Sequence, residues 1–116
     1  MDVLIIGGGI GGLTAALFLQ QAGIPCRVFE SAPELKALGV GINILPHAMR
    51  ELARFGVPDE MLKYGIEPLD FCFFSRHGQL IYKEPAGRFA GYDVPHISIH
   101  RGDLHLVLTE KVHSRL

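Results

Sequence analysis

A chain of 116 residues holds one domain's worth of material at most, and 48% hydrophobic with 20% charged residues suits a globular fold with a core. The formal net charge of −1 provides no basic surface for nucleic acid or an anionic membrane, so neither is expected as a partner. Cys26 and Cys72 form no C-x-x-C pair, and Cys26 falls in a segment expected to be buried, which fits a reduced, cytoplasmic setting.

The apolar run Val3–Ile6 opens the chain and reads as a strand. Residues 3–19 carry no charge, yet glycines interrupt them, Asp2 precedes them and no basic segment leads in. They read as core, not as a signal or membrane span. Five glycines occupy the six positions Gly7–Gly12, and Gly7, Gly9 and Gly12 spell G-x-G-x-x-G. A helix is expected from about Gly11 to Ala22, apolar over much of its surface through Leu13, Ala16, Leu17 and Leu19, with Gly23 as its stop. A second apolar strand, Cys26–Phe29, ends on Glu30, 18 residues after Gly12.

Strand, glycine turn, helix, strand and acid, in that order, describe a site for a dinucleotide. Gly7 permits a tight turn, Gly9 has no side chain to hold a pyrophosphate off the backbone, and Gly12 lets the helix lie close to its strand. The first helical amides lack an intrahelical acceptor and sit where the helix dipole favours negative charge. No Lys or Arg precedes Arg27, so this site rests on backbone donors. Glu30 would accept hydrogen bonds from ribose hydroxyls and repel a 2′-phosphate, which disfavours NADP here. An ordinary tight turn and a solvated strand-end carboxylate are the competing structural readings.

Ser31–Leu38 reads as a loop, and Gly39–Ile44 is glycine-rich and mostly apolar. Pro46 opens a helix to Phe55, with Leu45, Ala48, Met49, Leu52 and Phe55 on one face. A short helix around Asp59–Tyr64 stops at Gly65. Composition shifts near residue 68, where Leu69–Ser75 and Gln79–Glu84 form an expected antiparallel hairpin around Arg76, His77 and Gly78. Phe71, Phe73 and Phe74 are expected in the core. Residues 85–95 read as a loop and 96–100 as a half-buried strand. From Gly102 a last helix places Leu104, Val107, Leu108 and Val112 on one side. His96 and His100 lie too far apart along a strand to share a metal, and neither a metal site nor a nucleophile–base pair is expected.

The stretch GGGIGGLTAALFLQQAGIPCRVFE resembles the amino-terminal fingerprint of the class A FAD-dependent aromatic hydroxylases, the salicylate and para-hydroxybenzoate hydroxylase type. GVGINILPHAMRELARFGV at residues 39–57 resembles that family's second loop and helix, and Arg101-Gly-Asp-Leu104 with Leu108 resembles its arginine-led helix. The resemblance covers nearly all of this chain but only the first part of a family member. It implies an α/β fold: a Rossmann-like βαβ FAD-binding unit with parallel strands, followed by the start of an antiparallel substrate-domain hairpin. It implies three portions, with residues 1–67 binding FAD, 68–95 starting a substrate domain, and 96–116 returning to the FAD-binding portion. Gly7, Gly9, Ile10, Gly11 and Gly12 would lie on the FAD pyrophosphate and Glu30 on the adenosine ribose. Val40 and Gly41 would lie in a loop near the flavin, and Arg101 would reach its phosphate or ribityl oxygens. Lys36 reads better as a surface lysine than as a cofactor contact.

An intact family member would use NAD(P)H to reduce FAD, and the reduced flavin would use O₂ to hydroxylate an electron-rich aromatic ring. The family's later motifs are missing from these 116 residues, and no residue here is assigned as catalytic. The expectation is an FAD-binding portion of such a monooxygenase, inactive alone. The alternatives are a non-catalytic adenine-dinucleotide-binding module, one half of a split flavoenzyme, or a remnant that binds nothing. A small parallel sheet would leave an edge and an apolar face bare, so self-association or pairing with a missing carboxy-terminal portion is expected.

Overall fold

The computed structural model describes residues 2–31 and 40–114. In chain order the elements are β1 (Val3–Ile6), α1 (Ile10–Gln21), β2 (Cys26–Phe29), β3 (Gly41–Ile44), α2 (Pro46–Leu52), α3 (Val57–Met61), β4 (Asp70–Phe74), β5 (Leu80–Pro85), β6 (Ile97–His100) and α4 (Arg101–Ser114). Short 3₁₀ turns follow α2 at Ala53–Phe55 and β5 at Gly87–Ala90. The chain divides into two compact units, Met1–Val40 with His100–Leu116, and Gly41–Ile99.

In the first unit, β1 and β2 pair in parallel with Val3 opposite Cys26 and Ile6 opposite Phe29. A parallel pair needs a crossover, and α1 supplies it. The helix ends where expected, because Gly23 takes φ +74°. Its N–H bonds the Gln20 carbonyl, and that of Ile24 reaches back to Leu19, so the last carbonyls are satisfied. Leu13, Ala16 and Leu17 of α1 and Leu104, Val107, Leu108 and Val112 of α4 are buried. The two helices pack on each other through these stripes of three- and four-residue spacing.

Burial in this unit is less complete than the sequence suggested. Phe18 and Leu19 are only half-buried and Ala15 is exposed. Cys26 is half-buried as well. Leu4 and Ile6 are 58% and 83% exposed. Successive strand residues alternate between faces, and only the Val3 and Ile5 face of β1 is partly covered.

In the second unit β3 pairs with β6, and Ile66 forms an antiparallel bridge to Ser98. Met49, Leu52, Phe55, Val57, Met61, Ile97 and Ile99 are buried. Leu45, expected on that apolar face, is exposed, because it precedes the helix with an extended backbone. α3 begins at Val57, two residues earlier than the sequence suggested. Pro58 falls in its first turn, where a missing N–H costs nothing.

The hairpin β4–β5 runs from Asp70 opposite Pro85 to Phe74 opposite Leu80, with an irregularity between Phe73 and Phe74. Phe73 and Phe74 are exposed, against expectation, and every residue of β5 is exposed too. An isolated two-stranded ribbon has no second layer to bury these rings. Phe71 meets the ring of His96 edge-on with centroids 4.9 Å apart, whereas Phe73 meets only Tyr82 of the facing strand, at 6.2 Å, among the described residues. The composition shift near residue 68 marks the start of this hairpin. The division into units falls elsewhere, because β3 and Ile66 are tied to β6.

Candidate functional site

The glycine turn is built from both of its ends. Gly7 adopts φ +115°, a conformation that a side chain resists. Its N–H donates to the Phe29 carbonyl at 2.6 Å, so the chain is still bonded to β2 as it turns out of β1. The next amide, of Gly8, donates to Glu30 Oε2 at 2.7 Å. The Gly8 carbonyl lies 2.6 Å from His105 Nε2. A carbonyl only accepts, so this ring nitrogen carries the proton.

Gly9 caps α1 with an extended backbone and no side-chain cap, and the first bond into the helix runs from the Leu13 N–H to the Gly9 carbonyl at 2.9 Å. The amides of Gly9, Ile10, Gly11 and Gly12 have no acceptor among the described residues. A Cβ at Gly9 or Gly11 would meet nothing within 4 Å. A Cβ at Gly12 would overlap the Gly7 carbonyl oxygen and stand 3.3 Å from Ile5 Cγ2. Gly12 therefore sets the approach of α1 to β1, while Gly9 and Gly11 leave open space beside unpaired donors. No acidic side chain occupies the first turn of α1. Donors, dipole and clearance together fit a diphosphate.

Glu30 also accepts from the Ser31 hydroxyl, at 3.2 Å on Oε1. It is thus a brace of the turn, a role the sequence did not suggest. A carboxylate accepts in about four directions, so bracing the loop is compatible with binding a sugar hydroxyl. His105 was not anticipated either. The spacing of α4 only places it off the apolar stripe, and nothing local links it to a loop 97 residues earlier.

Val40 is 78% exposed, and its carbonyl accepts from the Arg101 N–H at 2.9 Å. Arg101 opens α4, is exposed, and has no ion-pair partner among the described residues. Gly41 starts β3 in the other unit, where a Cβ would meet only the Ile99 carbonyl at 3.9 Å. Packing therefore does not require glycine there. Lys36 lies outside the described residues. The structure thus gathers Gly7, Gly9, Ile10, Gly11, Gly12 and Glu30 around one turn, and ties Val40 to Arg101.

The second unit holds a cavity of about 340 Å³ lined by Pro46, His47, Phe71, Glu84, Tyr92 and His96, among others. His96 is 1% exposed, and neither ring nitrogen has a partner among the described residues. Burial pushes its pKa below the ordinary 6.5. The unfolded chain therefore takes up the proton first as pH falls. Stability should be full above about pH 6.5, decline as pH drops toward the lower folded-state pKa, and level off below it. His96→Phe should flatten that slope and raise the stability at neutral pH by about 1 kcal/mol, since it removes unpaired polar atoms. Urea melts between pH 5 and 8 check both effects.

Comparison with known proteins adds to this geometry. A family model described as "FAD binding domain" matches residues 1–108. Phenazine 1,6-dicarboxylic acid hydroxylase PhzS of Lysobacter antibioticus is 40% identical over 116 residues, covering 99% of this chain and 28% of the relative. 6-Hydroxynicotinate 3-monooxygenase of Pseudomonas fluorescens is 37% identical over 113 residues, covering 93% and 29%. Among solved structures, the tetrameric form of 2-methyl-3-hydroxypyridine-5-carboxylic acid oxygenase superposes with a TM-score of 0.84 at 31% identity, covering 98% of this chain and 29% of that one. The chain thus spans under a third of the length of these relatives.

Proposed function

The chain belongs to the FAD-binding domain family of the class A aromatic hydroxylases, and from that premise we propose that its glycine turn holds the diphosphate of FAD. The unpaired amides of Gly9–Gly12 beside the bare Cα atoms of Gly9 and Gly11 carry this reading. Glu30 takes the adenosine ribose, and Val40, Gly41 and Arg101 serve the flavin side of the cofactor. Residues 1–67 and 96–116 make up the FAD-binding portion, and 68–95 begin the part that faces a substrate. Bound FAD supplies the redox chemistry, and this stretch of chain binds and orients it.

The whole protein would be an NAD(P)H-dependent flavin monooxygenase hydroxylating an aromatic compound. The names of the three relatives above, each describing a substituted aromatic ring, support that substrate class. Turnover would require the further length that the relatives have. Two free cysteines favour a cytoplasmic setting, and no helix among the described residues is long and apolar enough to cross a membrane. Exposed Phe73, Phe74 and Ile81 on the hairpin favour self-association or pairing with a segment equivalent to the further length of the relatives.

Titration of the purified chain with FAD, ADP and NAD tests the central claim. FAD and ADP should bind in the micromolar range and NAD more weakly. Absence of both FAD and ADP binding would overturn the reading. Light scattering on the same samples should show a mass above that of a monomer.

A further inference from the structure

We propose that His105 is a positioning residue of the diphosphate cradle, acting through the Gly8–Gly9 peptide group. This inference rests on the FAD reading above and assigns that site a member on α4. The Gly8 carbonyl and the Gly9 N–H belong to one planar unit and point in opposite directions. With its oxygen held 2.6 Å from His105 Nε2, the group presents the Gly9 amide on the side away from the imidazole. That amide has no acceptor among the described residues, and a Cβ on Gly9 beside it would meet nothing within 4 Å. The preceding peptide is held separately, by the Gly8 N–H on Glu30 Oε2 at 2.7 Å. Both peptides flanking Gly8 are therefore clamped, one by an acid from the end of β2 and one by an imidazole from α4.

Two physical consequences follow for an incoming diphosphate. A run of glycines has the most backbone freedom to lose on binding, and a loop ordered beforehand loses less. Donation into the Gly8 carbonyl also polarises the peptide, which strengthens its N–H as a donor toward an anion. His105 is half-buried, so its bond competes less with water than a fully exposed one would. It touches the carbonyl and not the nucleotide, so its effect should depend on the phosphates and not on the adenine or ribose.

The experiment compares ADP, FAD and adenosine binding to wild type, His105→Ala and His105→Gln, with the amide spectrum of the ligand-free chains. His105→Ala should weaken ADP and FAD by about tenfold and leave adenosine unchanged. His105→Gln, which keeps an N–H donor, should recover most of the loss. The Gly9 amide proton should shift in the alanine variant before any ligand is added. Unchanged ADP affinity with an unmoved Gly9 resonance overturns the inference while leaving the cradle intact. Equal losses for ADP and adenosine overturn it too, because they mark general damage to the fold. A wild-type chain that binds neither FAD nor ADP sinks the cradle itself, and this inference with it.

Discussion

Gly12→Ala is expected to destabilise the chain by about 3 kcal/mol, the upper end of what overpacking costs. The added methyl would overlap the Gly7 carbonyl oxygen and press on Ile5 Cγ2, which a Cβ would approach to 3.3 Å. Neither neighbour yields easily. The carbonyl belongs to the turn that Gly7 makes at φ +115°, and Ile5 lies in the register of β1 with β2. Relief would need α1 to lift off β1 and β2, against which it packs. Denaturant melts should show a lower midpoint at an unchanged slope. A midpoint shift worth less than about 0.5 kcal/mol would show that Gly12 does not set the helix–strand distance.

Gly9→Val should do the reverse, sparing the fold and abolishing the nucleotide. Gly9 has φ −78° and ψ −170°, extended values that any L-residue adopts, and a Cβ there meets nothing within 4 Å. The loss of stability should be no more than about 1 kcal/mol, from a poorer helix cap. The valine methyls, however, fill the space from which phosphate oxygens must come within about 3 Å of the amides. FAD and ADP affinity should fall at least about 100-fold, near 2.7 kcal/mol. Isothermal titration beside a thermal melt separates the two effects. Retained FAD affinity in a folded Gly9→Val chain would place the cofactor elsewhere. Taken together, the pair distinguishes a glycine kept for packing from one kept for a ligand.

Much of the unit containing the turn was legible in the residue order. β1 and β2 lie at Val3–Ile6 and Cys26–Phe29, as read from the apolar runs, and α1 stops at Gly23. These features depend on neighbours one to five residues apart, where backbone sterics and unpaired amides act the same way in any fold. The fingerprint residues Gly7, Gly9 and Gly12 were legible for the same reason. The hairpin was readable too, from two apolar runs about a turn.

Exposure was not legible in this way. Phe73 and Phe74 carry the composition of a core yet stand in solvent, and Leu4 and Ile6 do likewise on β1. Whether an apolar side chain is buried depends on a second layer, and hydrophobicity alone does not say whether one is there. His96 shows the converse, a polar ring enclosed among Phe71, Ala86 and Gly87 with no partner among the described residues for either nitrogen.

By itself the order of residues determined where this chain turns, which strand follows which helix, and which glycines could face an anion, because short-range geometry decides all three. Only the folded chain decided that Glu30 braces the Gly8 amide and that His105 holds the Gly8 carbonyl. Those bonds join residues 22 and 97 positions apart, and such partners are chosen by packing that no local pattern encodes.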